Sequence, residues 1–100
     1  MRVVAFAPDL MDQSKLRAAG VEIVRSVGAL AEVEADRVLV DLSRPGVLDA
    51  IADVDAEVIG FGPHVDDDLL QAGRAAGCSE VLARSVFFRR LPALAAGDGV

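Results

Sequence analysis

Residues 37–42 read Arg-Val-Leu-Val-Asp-Leu, and Ser43-Arg44-Pro45-Gly46 follows at once. A continuous apolar, β-branched run fits a strand covered on both faces, as in a parallel sheet flanked by helices. Here the run ends on one carboxylate and a Pro-Gly turn signal. In an open sheet of that kind, the loops beyond the carboxyl ends of the strands form the ligand crevice. Asp41 is therefore predicted at the mouth of such a crevice.

The rest of the chain alternates strand-like and helix-like segments. Val3 to Ala7 reads as a first strand ended by Pro8 and Asp9. Leu10 to Ala19 reads as a helix capped by Asp9 or Asp12 and stopped by Gly20. Val21 to Val27 reads as an edge strand with one wetter face, and Gly28 to Glu34 leaves room for a short helix. Pro45 to Val54 follows the third strand as another short helix. Glu57 to Phe61 is a fourth strand. Asp66 to Ala76 is a helix opened by carboxylates at the positive end of its dipole and stopped by Gly77. Glu80 to Ala83 is a fifth strand. Ser85 is placed to cap a last helix, with a kink or restart at Pro92.

This alternation predicts an α/β fold, a three-layer α/β/α sandwich. Its five-stranded parallel sheet takes the flavodoxin-like order 2-1-3-4-5, and its second and third helices are short. Residues 1–96 form one domain, and 97–100 form a frayed tail.

Composition narrows the function classes. Of 100 residues, 53% are hydrophobic, and Trp and Tyr are absent. Small side chains packed between helices and a sheet fit this better than an aromatic ligand cage. The net charge of −6 argues against nucleic acid and against an anionic membrane surface. No apolar run reaches spanning length, and Met1-Arg2-Val3-Val4 lacks a signal-peptide pattern, so a soluble cytoplasmic protein is expected. Cys78 stands alone and is read as a small buried residue. The run Asp66-Asp67-Asp68 is read as a solvated helix start in preference to a metal site.

The predicted strand ends bring together Ala7-Pro8-Asp9, Asp41, Gly62-Pro63-His64 and Ala83-Arg84-Ser85. The segment Asp41 to Gly46, and the run Leu70 to Leu82, resemble the corresponding parts of response-regulator receiver domains. That resemblance implies an acidic, Mg²⁺-holding pair after strand 1 and a phosphoacceptor Asp after strand 3. It also implies Thr or Ser after strand 4 and Lys after strand 5. Asp41 matches the acceptor. The acidic pair falls on Ala7 and Pro8, with Asp9 displaced. The hydroxyl position falls on Gly62 and the lysine position on Arg84. The resemblance is thus to a degenerate or pseudo-receiver, with Asp9, Pro45, Gly62, His64 and Arg84 around Asp41.

The favoured role of Asp41 is structural, paired with Arg84 or capping the turn before Pro45. His64 is read as a loop residue bonded to a backbone group or a capping Asp, with a pH- or phosphate-sensing role as the sharper alternative. No catalytic residue, metal site or cofactor is expected, and Mg²⁺ enters only if Asp41 accepts a phosphoryl group.

The expected function is a stand-alone, phosphorylation-independent interaction module in bacterial signalling or regulation, not an enzyme. Its partner is another protein or a second copy. The resemblance points to the face of the fourth helix, fifth strand and fifth helix, with Arg74, Phe87, Phe88, Arg89 and Arg90. Two adjacent Phe on one helix cannot both enter the core, which leaves one for an interface. So short a chain carries no output module, so its signal is expected to pass through another chain. One alternative is a working receiver phosphorylated on Asp41. Another is a small flavodoxin-like protein that binds an anion or ligand through Arg84 and the amides of Gly60 to Val65.

Overall fold

Every residue of the first and third strands is buried, including the charged Arg37 and Asp41 that flank the apolar centre of the third. The computed structural model describes residues 1–63 and 66–97. In order, the elements are β1 (Val3–Phe6), α1 (Leu10–Ala18), β2 (Glu22–Ile23), a 3₁₀ turn (Gly28–Glu32), β3 (Arg37–Asp41), α2 (Val47–Ile51), β4 (Glu57–Gly62), α3 (Asp67–Ala76), β5 (Cys78–Ala83) and α4 (Arg84–Ala95). The strands pair in parallel in the order β2-β1-β3-β4-β5. This is the predicted topology.

Alternation along the strands builds two cores. Ala5, Leu39, Ile59 and Phe61 pack on one face with Leu16 of α1 and with Phe87, Leu91 and Leu94 of α4. Val4, Phe6, Val38, Val40 and Val58 pack on the other with Leu30, Val47 and Ile51, and Leu69 and Leu70 of α3 join them. Gly60 sits on this second face because space demands it. A Cβ there would stand 2.5 Å from Cδ1 of Leu42.

Helix ends follow the sequence signals. The Asp9 carboxylate accepts from the amides of Met11 and Asp12, and that of Asp66 accepts from Leu69. Gly77 closes α3 at φ 117°, a backbone region that costs a residue with a Cβ. Cys78 is buried, as expected, although β5 starts at it and not after it.

Several boundaries differ from expectation. β2 keeps two residues and one further bond, from the Val24 amide to the Ala5 carbonyl at 2.8 Å. The chain then leaves the sheet so that Leu30, in the 3₁₀ turn, can be buried. α2 is confined to Val47–Ile51 behind a left-handed Gly46 at φ 81°. Ser85 does not cap α4: the cap position is Ala83, without a side-chain bond, and Ser85 lies in the first turn. The helix runs unbroken through Pro92 to Ala95, so the expected restart is absent. Of the expected tail, Gly97 lies against Met1, and residues 98–100 fall outside the described residues.

Candidate functional site

Asp41 is the last residue of β3, opposite Phe61 of β4, and is 4% exposed. Its Oδ1 accepts from the Ser43 amide at 3.0 Å and from the Ser43 hydroxyl at 2.6 Å. Its Oδ2 lies 3.4 Å from Nε of Arg44. A carboxylate bonded to the amide two residues on is an Asx turn. Asp41 thus caps the turn before Pro45, one of the two structural roles expected of it. The other role, a pair with Arg84, is not formed.

Arg84 instead grips Asp12. One arm, Nη1 to Oδ2, measures 2.7 Å, and Nη2 donates to Oδ1 to complete a bidentate fork. Asp12 is fully buried, while the Arg84 side chain is 39% exposed. The bond to Asp12 raises the already high pKa of Arg84. Sequence reasoning treated Asp12 only as a possible helix cap. The missed signal was its spacing: Asp12 stands four residues before Leu16, on the stripe of α1 that faces the core.

Asp9, the displaced candidate for the acidic pair, is committed to its cap. The Asp12 amide, above all, holds its pKa below the usual carboxylate value, against desolvation, the next largest effect. The Met11 amide and the charges of Arg84 and Arg44 act in the same direction as the cap. Beside it, Nε2 of Gln13 donates to the Ala7 carbonyl at 3.0 Å. Gly62 ends β4 opposite Ala83 and offers no hydroxyl. Pro45 is exposed in the loop before α2. His64 and Val65 lie outside the described residues, so the sensing role for His64 and the amide cradle ending at Val65 stay at the level of sequence.

These side chains do not fit a Mg²⁺ ion, which is usually held by one or two carboxylates. Ala7 and Pro8 have none to give, Asp9 caps α1, and Asp41 is bonded by Ser43 and Arg44. Among the described residues no group of three or more His, Cys, Asp or Glu is arranged for a metal. The Asp66 carboxylate serves α3 as its cap, as expected.

The predicted interface is corrected in part. Phe87 is fully buried, with its ring stacked on Phe61 at 4.2 Å between centroids, so it cannot line a surface. Phe88 is the half-buried one, set edge-on to Phe61 at 5.6 Å and to Phe87 at 5.0 Å. It turns towards α1: Nζ of Lys15 lies 5.0 Å from its ring centroid, and Cζ of Arg84, at the start of α4, lies 5.1 Å from it. The face formed by α3, β5 and α4 keeps exposed Arg74 and Arg89, and Arg90 paired with Glu80 at 3.0 Å. A groove of about 480 Å³ opens elsewhere, between α1 and α4.

Solved structures share this architecture. A response regulator from Hahella chejuensis matches with a TM-score of 0.78 and 17% identity, over 96% of this chain and 93% of that one. The BeF₃-activated DrrB receiver domain matches with a TM-score of 0.78 and 14% identity, over 96% and 94% of the two chains. A protein from Burkholderia pseudomallei described as related to pilus assembly matches at 0.69 and 17% identity, over 100% and 92%. No family model and no curated protein sequence matches the chain. The fold is that of response-regulator receiver domains. Among the described residues, no helix is long and apolar enough to cross a membrane.

Proposed function

We propose that this chain is a pseudo-receiver, a receiver-fold domain that works by binding another protein and not by accepting a phosphoryl group. The observation that carries this reading is the Asp12–Arg84 fork. Arg84 stands where the resemblance implies a lysine free to meet the phosphoryl group, and its guanidinium is spent on a buried carboxylate. A planar fork held at both arms is not a mobile ammonium.

The surroundings support the same reading. Phosphoryl transfer depends on a metal to offset charge, and the carboxylates here do not form that metal's site. Asp41 is turned towards Ser43 and Arg44. Gly62 has no hydroxyl to follow a new phosphoryl group. The contact surface implied by the resemblance is the α3–β5–α4 face, with Arg74, Arg89 and Arg90 as its polar groups. Signalling or regulation is the setting this implies.

The test is incubation with acetyl phosphate and Mg²⁺, read by intact mass, with Asp41→Asn as the control. The expected result is no adduct on either protein. An adduct on the natural chain that is missing from the Asn variant overturns the proposal. It establishes the second reading, a receiver phosphorylated on Asp41. That reading draws on the position of Asp41 at the end of β3, where the resemblance places the acceptor.

A further inference from the structure

Charge is unevenly distributed over this molecule. The layer made by α1 and α4 carries Lys15, Arg17, Arg84, Arg89 and Arg90, half of the ten Lys and Arg of a chain whose net charge is −6. Its one acid, Asp12, is offset by Arg84, and Arg90 pairs with Glu80 of β5, so Lys15, Arg17 and Arg89 are the cations of this layer without an ion pair among the described residues. In the opposite layer the 3₁₀ turn, α2 and α3 carry Glu32, Asp49, Asp67 and Asp68 against Arg74 alone. An acidic protein thus presents one basic helical face, and fields of this kind select and steer oppositely charged partners.

That basic face is cleft. Ala18 and Ala19 of α1 and Phe88, Leu91 and Pro92 of α4 line the groove of about 480 Å³, with Lys15 at its edge. The volume falls in the range of sites that take a bulky organic group. Phe88 lies in this groove only half-buried, with Lys15 and Arg84 both about 5 Å from its ring. Met11, 73% exposed, stands one turn before Lys15 and prolongs the apolar strip along α1.

A second copy is a poor occupant. Face to face, it would set Lys15 against its own equivalent. Its acidic layer offers no anchor either, because the exposed large apolar residues among those described are Met1, Leu10 and Met11. An acidic, amphipathic helix satisfies both demands, since its apolar stripe enters the groove and its flanking carboxylates meet the cations.

We infer that the α1–α4 groove docks an acidic amphipathic helix of a partner protein, with a large apolar side chain seated between Ala18 and Phe88 and a flanking carboxylate on Lys15. This rests on the reading of the chain as an interaction module and gives that module a second surface, apart from the α3–β5–α4 face, with a partner chemistry.

The test uses designed helical peptides of about 18 residues, roughly five turns. One has a Leu and Phe stripe flanked by Glu. A second carries Lys in place of Glu, and a third has the Glu residues but no apolar stripe. Binding is read by fluorescence anisotropy and by amide shifts of the whole chain. Lys15→Glu and Ala18→Trp alter exposed positions, the second filling the groove, and Asp49→Ala on α2, in the opposite layer, is the control.

The expected result is binding of the first peptide alone, with shifts along α1 and α4. Its Kd should rise about tenfold or more in each groove variant, which is about 1.4 kcal/mol, and stay unchanged in the control. Equal binding by the groove variants, shifts confined to α3 and β5, or equal binding of the stripeless peptide overturns the proposal. So does displacement of the peptide by phosphatidylserine vesicles or duplex DNA that bind more tightly at the same residues, since the face is then a polyanion site. Failure of the peptide with Asp41 still unmodified by acetyl phosphate removes the groove alone. An Asp41 adduct removes the module reading itself.

Discussion

Asp12 has no contact with water, and one guanidinium holds its charge inside the protein. Removing one partner of such a pair costs far more than the pair contributes, because the other is left as an uncompensated charge. Arg84→Ala is expected to destabilise the fold by about 2 kcal/mol, less than for a wholly buried pair because Arg84 keeps water on one side. Urea unfolding measures it. The double variant Asp12→Leu, Arg84→Leu should recover most of that loss, since it strands no charge.

Gly60→Ala should cost about 1–3 kcal/mol, because its methyl would collide with Leu42, and Leu42→Ala should relieve part of it. Burial lifts the Cys78 thiol to about 11, from an ordinary value of 9.0. Between those values the unfolded chain releases a proton that the folded chain keeps. The Cys78 contribution to stability is therefore complete below about pH 9 and falls as pH rises towards about 11. Comparing urea midpoints at about pH 8 and about pH 10.5 should show a smaller drop in Cys78→Ala than in the natural chain. Such single positions were unevenly legible. Gly77 and Asp66 announced themselves because their tasks are local. Asp12 did not, because its partner stands 72 residues away in the chain.

Among the elements, β3 and α3 were the most readable, for different reasons. β3 has an unbroken apolar centre, Val38 to Val40, and α3 carries both its cap and its stop. β2 was overread because Val24 and Val27 are apolar, yet they pack against the second core from outside the strand. What ends β2 is the need to bury Leu30, a tertiary demand that alternation does not record. α4 outlived its proline because Pro92 comes in its last turns, after Phe87 and Leu91 are already seated.

The same helix is tied down by a strand. Arg37, 3% exposed at the start of β3, donates through Nη1 to the Leu94 carbonyl at 2.8 Å and through Nε to Glu57. Arg37→Met should loosen the end of α4 first, with a loss of about 1–3 kcal/mol. Hydrogen exchange should then speed up in the last turn of α4 before it does in β3.

For the molecule as a whole, strand order and layers followed from the alternation of segments and the right-handed crossover rule. The candidate site did not follow so directly. Sequence placed Asp41 and Arg84 at the strand ends and left Asp41 two roles, a pair with Arg84 or the cap of the turn before Pro45, because strand order fixes which ends are neighbours and not which side chains pair. Net charge also concealed a basic face, since a sum over the chain has no direction.

The Asp12–Arg84 fork sets a timetable as well as a structure. It links the first helix to the last, and a contact spanning most of the chain forms only after the intervening units have closed their loops. We expect a bond made that late to be absent from the folding transition state. Arg84→Ala should therefore leave the refolding arm of a chevron nearly unmoved and raise the unfolding rate. The fork acts as a latch on an already assembled sheet, setting how long the fold persists and not how quickly it forms.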